Sequence, residues 1–100
     1  MTYKSKYAND NIDFLFEAIL ELQTQEECHR FFEDLSTIQE IKEMALRFKV
    51  ASLLDCKTSY QIISRETGAS TATISRINKS LQYGANGYSL VLDRMKTKKE

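Results

Sequence analysis

The sequence predicts an all-α fold of about six helices. Its 100 residues contain no proline and only three glycines, and the apolar residues recur at steps of three and four rather than two. Ser, Thr or Asn also stands repeatedly just ahead of such a run, often with Glu or Gln three residues later. That spacing lets side chain and backbone satisfy each other's orphan groups at a helix start. The length suits one small domain, so a single domain over 1–100 is expected, with the aperiodic residues 1–8 as a flexible arm.

Asn9 or Asp10 can cap the first helix, in which Ile12, Leu15, Phe16, Ile19 and Leu22 form one broad apolar stripe. Phe14 and Leu20 fall off that stripe. A helix apolar on more than one side needs more cover than a small monomer supplies, which predicts a subunit interface; cover by a neighbouring helix is the alternative. Thr24 with Glu27 opens a second helix bearing Cys28, Phe31, Phe32 and Leu35. Ser36 with Gln39 repeats the spacing and starts a long helix to about Leu54. Its apolar positions are Ile38, Ile41, Met44, Ala45, Phe48, Ala51 and Leu54, with Leu46, Val50 and Leu53 as a second line. Asp55, Cys56 and Lys57 form a short connector.

From Thr58 to Lys79 the chain reads as helix, sharp turn, helix. Thr58 with Gln61 is the expected cap of a helix over 59–66, and Gly68 stands where the chain must reverse, a place that commonly needs positive φ. Ser70 can cap the next helix. Ile63, Ala69, Ile74 and Ile77 are expected to face inward, and Ser64 is small where the two helices must approach closely. This is the packing pattern of a helix-turn-helix. The second helix should run to about Gln82 and stop at Tyr83 and Gly84. Gly87 is read as a further break, with Ser89 capping a last helix to about Lys96. Leu90, Val91 and Met95 on that helix are expected to pack on the dimer, and Lys96, Lys98 and Lys99 suit the negative end of its dipole.

The outward residues of the second helix in the pair carry the functional signal. Thr71, Ala72, Ser75, Arg76 and Lys79 put small hydroxyls and a methyl at the helix start, where they can touch base edges in a major groove, with Arg and Lys for guanine edges or phosphates. Arg65, Ser70 and Thr73 join Lys79 as candidate phosphate contacts. Formal net charge is zero, from 14 basic and 14 acidic residues, so nucleic-acid binding rests on where charge sits. The acids crowd between Asp10 and Glu43, while Arg65, Arg76, Lys79, Arg94, Lys96, Lys98 and Lys99 dominate the C-terminal half.

Other chemistry finds little support. Cys28 and Cys56 with the single His29 cannot make a four-ligand zinc cage, and both thiols are read as reduced and structural. There is no Gly-rich phosphate loop, nucleophile elbow or metal constellation, so the chain is not read as an enzyme and no cofactor is expected. No apolar run is long enough for a membrane span and the N-terminus lacks the apolar core of a signal peptide, which makes a cytoplasmic protein the expectation.

The run Gly68 to Leu81, together with the helical segments upstream, resembles the Trp repressor family, most of all its YerC/YecD branch. The resemblance covers about residues 8–95 and is sharpest over Ala72, Thr73, Ile74, Ser75 and Arg76. It implies an intertwined homodimer whose helix-turn-helix pair reads a palindromic operator in double-stranded DNA, in some members only after a small corepressor binds. The arginine on the family's reading helix is matched by Arg76. The following family glycine, which leaves room for an indole ring, is replaced by Ile77. A second family arginine, on the central helix, aligns with Phe48 when the alignment runs back from Gly68 without gaps. Both departures put apolar filling where a charged amino acid would lie, so tryptophan is not expected to bind. The competing class is a helical protein-interaction module using the apolar or acidic N-terminal half, without DNA.

Overall fold

The computed structural model describes residues 3–99, with only the backbone of Lys99. Met1 and Thr2 of the expected arm, and the Lys99 side chain of the expected basic helix end, lie outside the described residues. Six helices and no strand occur among the described residues: α1 Asp10–Ile19, α2 Gln25–Leu35, α3 Ile38–Asp55, α4 Tyr60–Thr67, α5 Thr71–Tyr83 and α6 Gly87–Lys99. The all-α reading and the number of helices agree with the sequence. The contacts divide the chain into two compact units, Met1–Thr37 and Ile38–Glu100.

In the first unit, the Asn9 side chain accepts from the Ile12 N–H at 2.9 Å to start α1, and the Thr24 hydroxyl accepts from the Glu27 N–H at 3.1 Å to start α2. Glu27 returns the favour one residue further out than a standard capping box, accepting from the Gln23 N–H at 2.8 Å. Phe31 and Phe32 meet edge to face with ring centres 5.5 Å apart. No residue of α1 or α2 is buried in the single chain. Phe14 is 73% exposed and Leu20 82%.

The second unit holds the core. Val50, Ala51 and Leu54 of α3, Ile63 of α4, Ala69 of the turn, and Ile74 and Ile77 of α5 form one buried cluster, with Leu46, Leu53, Tyr60, Leu81 and Tyr88 packed against it. The C-terminal half of α3 is therefore the platform on which α4 and α5 rest. Its N-terminal half is different, since Ile38, Met44 and Ala45 are exposed in the single chain. Leu92 of α6 is also buried.

Three expected helix starts move, two of them because the preceding helix claims the residue and the third because its own helix begins earlier. Ser36 does not cap α3. It closes α2 in an extended conformation, with its N–H donated to the Phe32 carbonyl at 2.9 Å. Thr58 does not cap α4, because α3 ends in a left-handed turn at Lys57, φ 64°. The Lys57 N–H bonds back to Leu54 at 2.9 Å and the Thr58 N–H to Leu53 at 3.0 Å, the paired bonds of a Schellman ending. Ser59 caps α4 instead, accepting from Ile62 N–H at 3.3 Å, and the helix runs 60–67 rather than 59–66. Gly87 is the first residue of α6 rather than a break, and Ser89 lies inside that helix. Asn86, φ 66°, makes the turn, and its carbonyl accepts from the Leu90 N–H at 3.1 Å. Ahead of it, Gly84 closes α5 with its N–H on the Ser80 carbonyl; a Cβ at Gly84 would collide with that same oxygen.

Candidate nucleic-acid interface

The corner between α4 and α5 is fixed by backbone conformation and hydroxyls together. Gly68 takes φ 77°, the left-handed region that a residue with a Cβ enters at a cost, and donates its N–H to the Ser64 carbonyl at 2.9 Å. The Ala69 N–H donates to the Thr67 hydroxyl at 3.2 Å, and that hydroxyl donates to the Ile63 carbonyl at 2.7 Å. Across the corner the Ser64 hydroxyl donates to the Ala69 carbonyl at 2.8 Å. Ser64 is thus both small enough for the close approach and polar enough to satisfy a carbonyl stranded there.

Ser70 then caps α5 by accepting from the Thr73 N–H at 3.1 Å, while its own proton goes to the Thr73 hydroxyl oxygen at 3.0 Å. Ile74 and Ile77 turn inward, at 0% and 6% exposure. The opposite face is set by helical periodicity: Ala72, Ser75, Arg76, Lys79, Gln82 and Tyr83 follow one another at three- and four-residue steps and, with Asn78, line one shallow open surface. Thr71, Ala72, Ser75, Arg76 and Lys79 are all exposed, as are Ser70 and Arg65; Thr73 is half-buried. The expected contact set thus falls on α5 and its cap, with Arg65 placed on α4.

Some of the basic groups are paired within the chain and others are not. Arg30 pairs with Glu26 at 2.9 Å and Arg47 with Glu43 at 3.7 Å, each an acid one turn back on its own helix. Among the described residues Arg65, Arg76 and Lys79 join no ion pair, and α5 contains no acid at all. Three uncompensated cations on a helix pair are available to an outside anion.

Sequence reasoning stopped this surface at Lys79. The structure adds Gln82 and Tyr83, and the signal was present, because 82 and 83 continue the 72, 75, 76, 79 progression. On the far side of α5, Ile77 fills the space against the core, and the Phe48 and Tyr88 rings lie 6.4 Å apart, centre to centre. Cys28 and Cys56 are free and exposed, so neither thiol packs structurally within the chain as expected. No group of three or more His, Cys, Asp or Glu that could hold a metal occurs among the described residues. No described helix is long and apolar enough to cross a membrane.

Comparison with known proteins agrees with the six-helix fold. The sequence profile of the family described as Trp repressor protein matches residues 10–96. The uncharacterized protein YerC of Bacillus subtilis (strain 168) is 50% identical over 91 residues, covering 91% of this chain and 88% of YerC. A crystal structure of a candidate Trp repressor from Staphylococcus aureus superposes with a TM-score of 0.86 at 46% identity, covering 91% of each chain. A TrpR-like protein from Eubacterium eligens ATCC 27750 does so with a TM-score of 0.87 at 46% identity, covering 91% of this chain and 94% of its own.

Proposed function

The chain belongs to the Trp repressor family, and from that premise we propose that it is a sequence-specific DNA-binding regulator of transcription. It acts as a repressor, by steric occlusion of a promoter, and has no enzymatic role. The observation that carries this reading is the outward face of α5: small side chains at its start, then Arg76 and Lys79 with no acid to neutralise them. Cations without internal partners release condensed counterions when they meet phosphates, which is the main sequence-independent source of affinity for a duplex.

The working unit is an intertwined homodimer in which residues 1–100 of each chain serve as one domain. Exposed Phe14 and Phe16 of α1, Leu20 just after it, and Leu35 of α2 support this, being more bare apolar surface than a monomer of this size ordinarily tolerates. Two copies of α5 enter successive major grooves of a palindromic operator, roughly 34 Å apart. Thr71, Ala72, Ser75 and Arg76 meet base edges. Arg65, Ser70, Thr73 and Lys79 hold phosphates, Ser70 and Thr73 at the positive end of the α5 dipole. No tryptophan corepressor is needed: buried Ile77 and half-buried Phe48 occupy positions where, by the family resemblance, a cleft for a charged amino acid would be. A regulator of this kind works where the chromosome is, in the cytoplasm.

The test is an electrophoretic shift on random-sequence duplex. Retention at low salt that disappears as salt rises supports a groove reader. Absence of retention at low salt overturns the reading in favour of a protein-interaction module.

A further inference from the structure

The exposed stripe of α5 does not end at its basic residues. Tyr83 closes the helix 84% exposed, the barest of the large hydrophobic residues in the described C-terminal unit, and lines the same open surface as Arg76 and Lys79. Its ring stacks on no other aromatic ring and its hydroxyl has no hydrogen-bond partner among the described residues. A tyrosine left bare beside two unpaired cations suits an anion that also presents an apolar flank, and a sugar-phosphate backbone has both.

Helix dimensions place it there. At about 1.5 Å per residue, Tyr83 lies about 10 Å along the axis from Arg76 and about 16 Å from Ala72. The major groove is only about 12 Å wide. With residues 71–76 at the base edges, the end of α5 has passed out of the groove and stands at its wall. Gln82 shares this end of the stripe, but Tyr83 has the longer reach and the ring.

We propose that Tyr83 is a phosphate clamp: its phenol donates a hydrogen bond to a backbone phosphate at the groove rim while its ring lies on the adjoining deoxyribose. This rests on the reading of α5 as the groove-entering helix and extends the contact surface one full turn beyond Lys79. The clamp is neutral, so it fixes how deeply the helix enters without releasing a counterion. Its signature is loss of affinity with no change in salt dependence, unlike that of Lys79.

Because the contact is to a phosphate, random-sequence duplex is the probe, with affinity measured by fluorescence anisotropy across a salt series. Tyr83→Phe removes only the hydroxyl and is expected to weaken binding about ten-fold, the scale of one hydrogen bond to a charged acceptor. Tyr83→Ala, which also removes the ring, is expected to weaken it further. Both should keep the wild-type salt slope, whereas Lys79→Ala should lower that slope by about one for each half of the dimer. The exposure of Tyr83 means both variants should fold, which unchanged helical circular dichroism will verify. Wild-type retention with Tyr83→Phe and Tyr83→Ala both within two-fold of it overturns the clamp alone. A wild-type protein that retains no duplex at low salt overturns the groove reading and the clamp together.

Discussion

The Ser64 hydroxyl donates to the Ala69 carbonyl at 2.8 Å, bridging the two sides of the Gly68 corner and setting the angle at which α5 leaves α4. That angle matters because α5 presents its polar stripe only if Ile74 and Ile77 stay seated on the core. Gly68→Ala meets no atom within 4 Å, so its cost comes from the backbone, at φ 77°. It should destabilise the fold by about 1–2 kcal/mol, and Gly68→Asn by less, since Asn tolerates that region. Ser64→Ala strands a carbonyl and should cost about 1 kcal/mol. Urea titration followed by circular dichroism measures all three.

Leu20 is 82% exposed in the single chain. On the surface of a monomer, Leu20→Glu would change stability by no more than about 0.5 kcal/mol. In an intertwined dimer the same change puts a carboxylate into an apolar interface and should dissociate or unfold it. Sedimentation equilibrium is expected to give a dimer for the wild type and loss of dimer for Leu20→Glu. A monomeric wild type would rule out the intertwined arrangement.

Ile77 is 6% exposed and the Phe48 ring packs near Tyr88. Calorimetric titration with L-tryptophan should therefore give no binding heat, and duplex retention should be the same with and without it. Micromolar binding would show that the apolar filling yields to a ligand.

Lys96 reaches from α6 to the end of α3 and donates to Asp55 at 2.6 Å. That hydrogen bond, with the charge of the same carboxylate, raises the lysine above its ordinary value of 10.5. A lysine with a raised folded value stabilises the fold at all pH values below its unfolded pKa, and the contribution disappears as pH rises through the raised value. Asp55→Asn should accordingly lower Tm at neutral pH, with the gap to wild type closing at strongly alkaline pH and shrinking in high salt, because the pair is open to solvent. A gap that persists unchanged above the lysine range would mean that Asp55 acts through some other contact.

The helix-turn-helix was legible because each part has its own local signal: a glycine at the one left-handed corner, a serine cap, and isoleucines at helical spacing. Ser59 displacing Thr58 was not legible. The left-handed ending of α3 falls on Lys57, a residue whose type gives no hint of that conformation, and it consumes the Thr58 N–H that a cap would have left free. Ser36 was misread for a related reason: only two residues separate α2 from α3 in the chain, and Ser36, whose side chain suits a helix start, closes α2 through its backbone N–H on the Phe32 carbonyl. In α3, pattern alone did not separate the line that packs, Val50 with Ala51 and Leu54, from the bare Ile38 and Met44, since both are apolar at the same spacing. Gln82 and Tyr83 were overlooked because the contact set was drawn from residue chemistry and not followed to the end of its stripe.

The central claim, that α5 reads DNA, is tested most directly by selecting bound duplexes from a random pool and measuring wild-type, Arg76→Ala and Lys79→Ala affinities on the recovered site. A palindrome with half-sites about one helical turn apart is expected. Arg76→Ala should weaken specific binding by about 1–3 kcal/mol and relax one base position, and Lys79→Ala should weaken all sequences alike. Recovery of no enriched sequence, or equal affinity of wild type and Arg76→Ala for the recovered site, would contradict it.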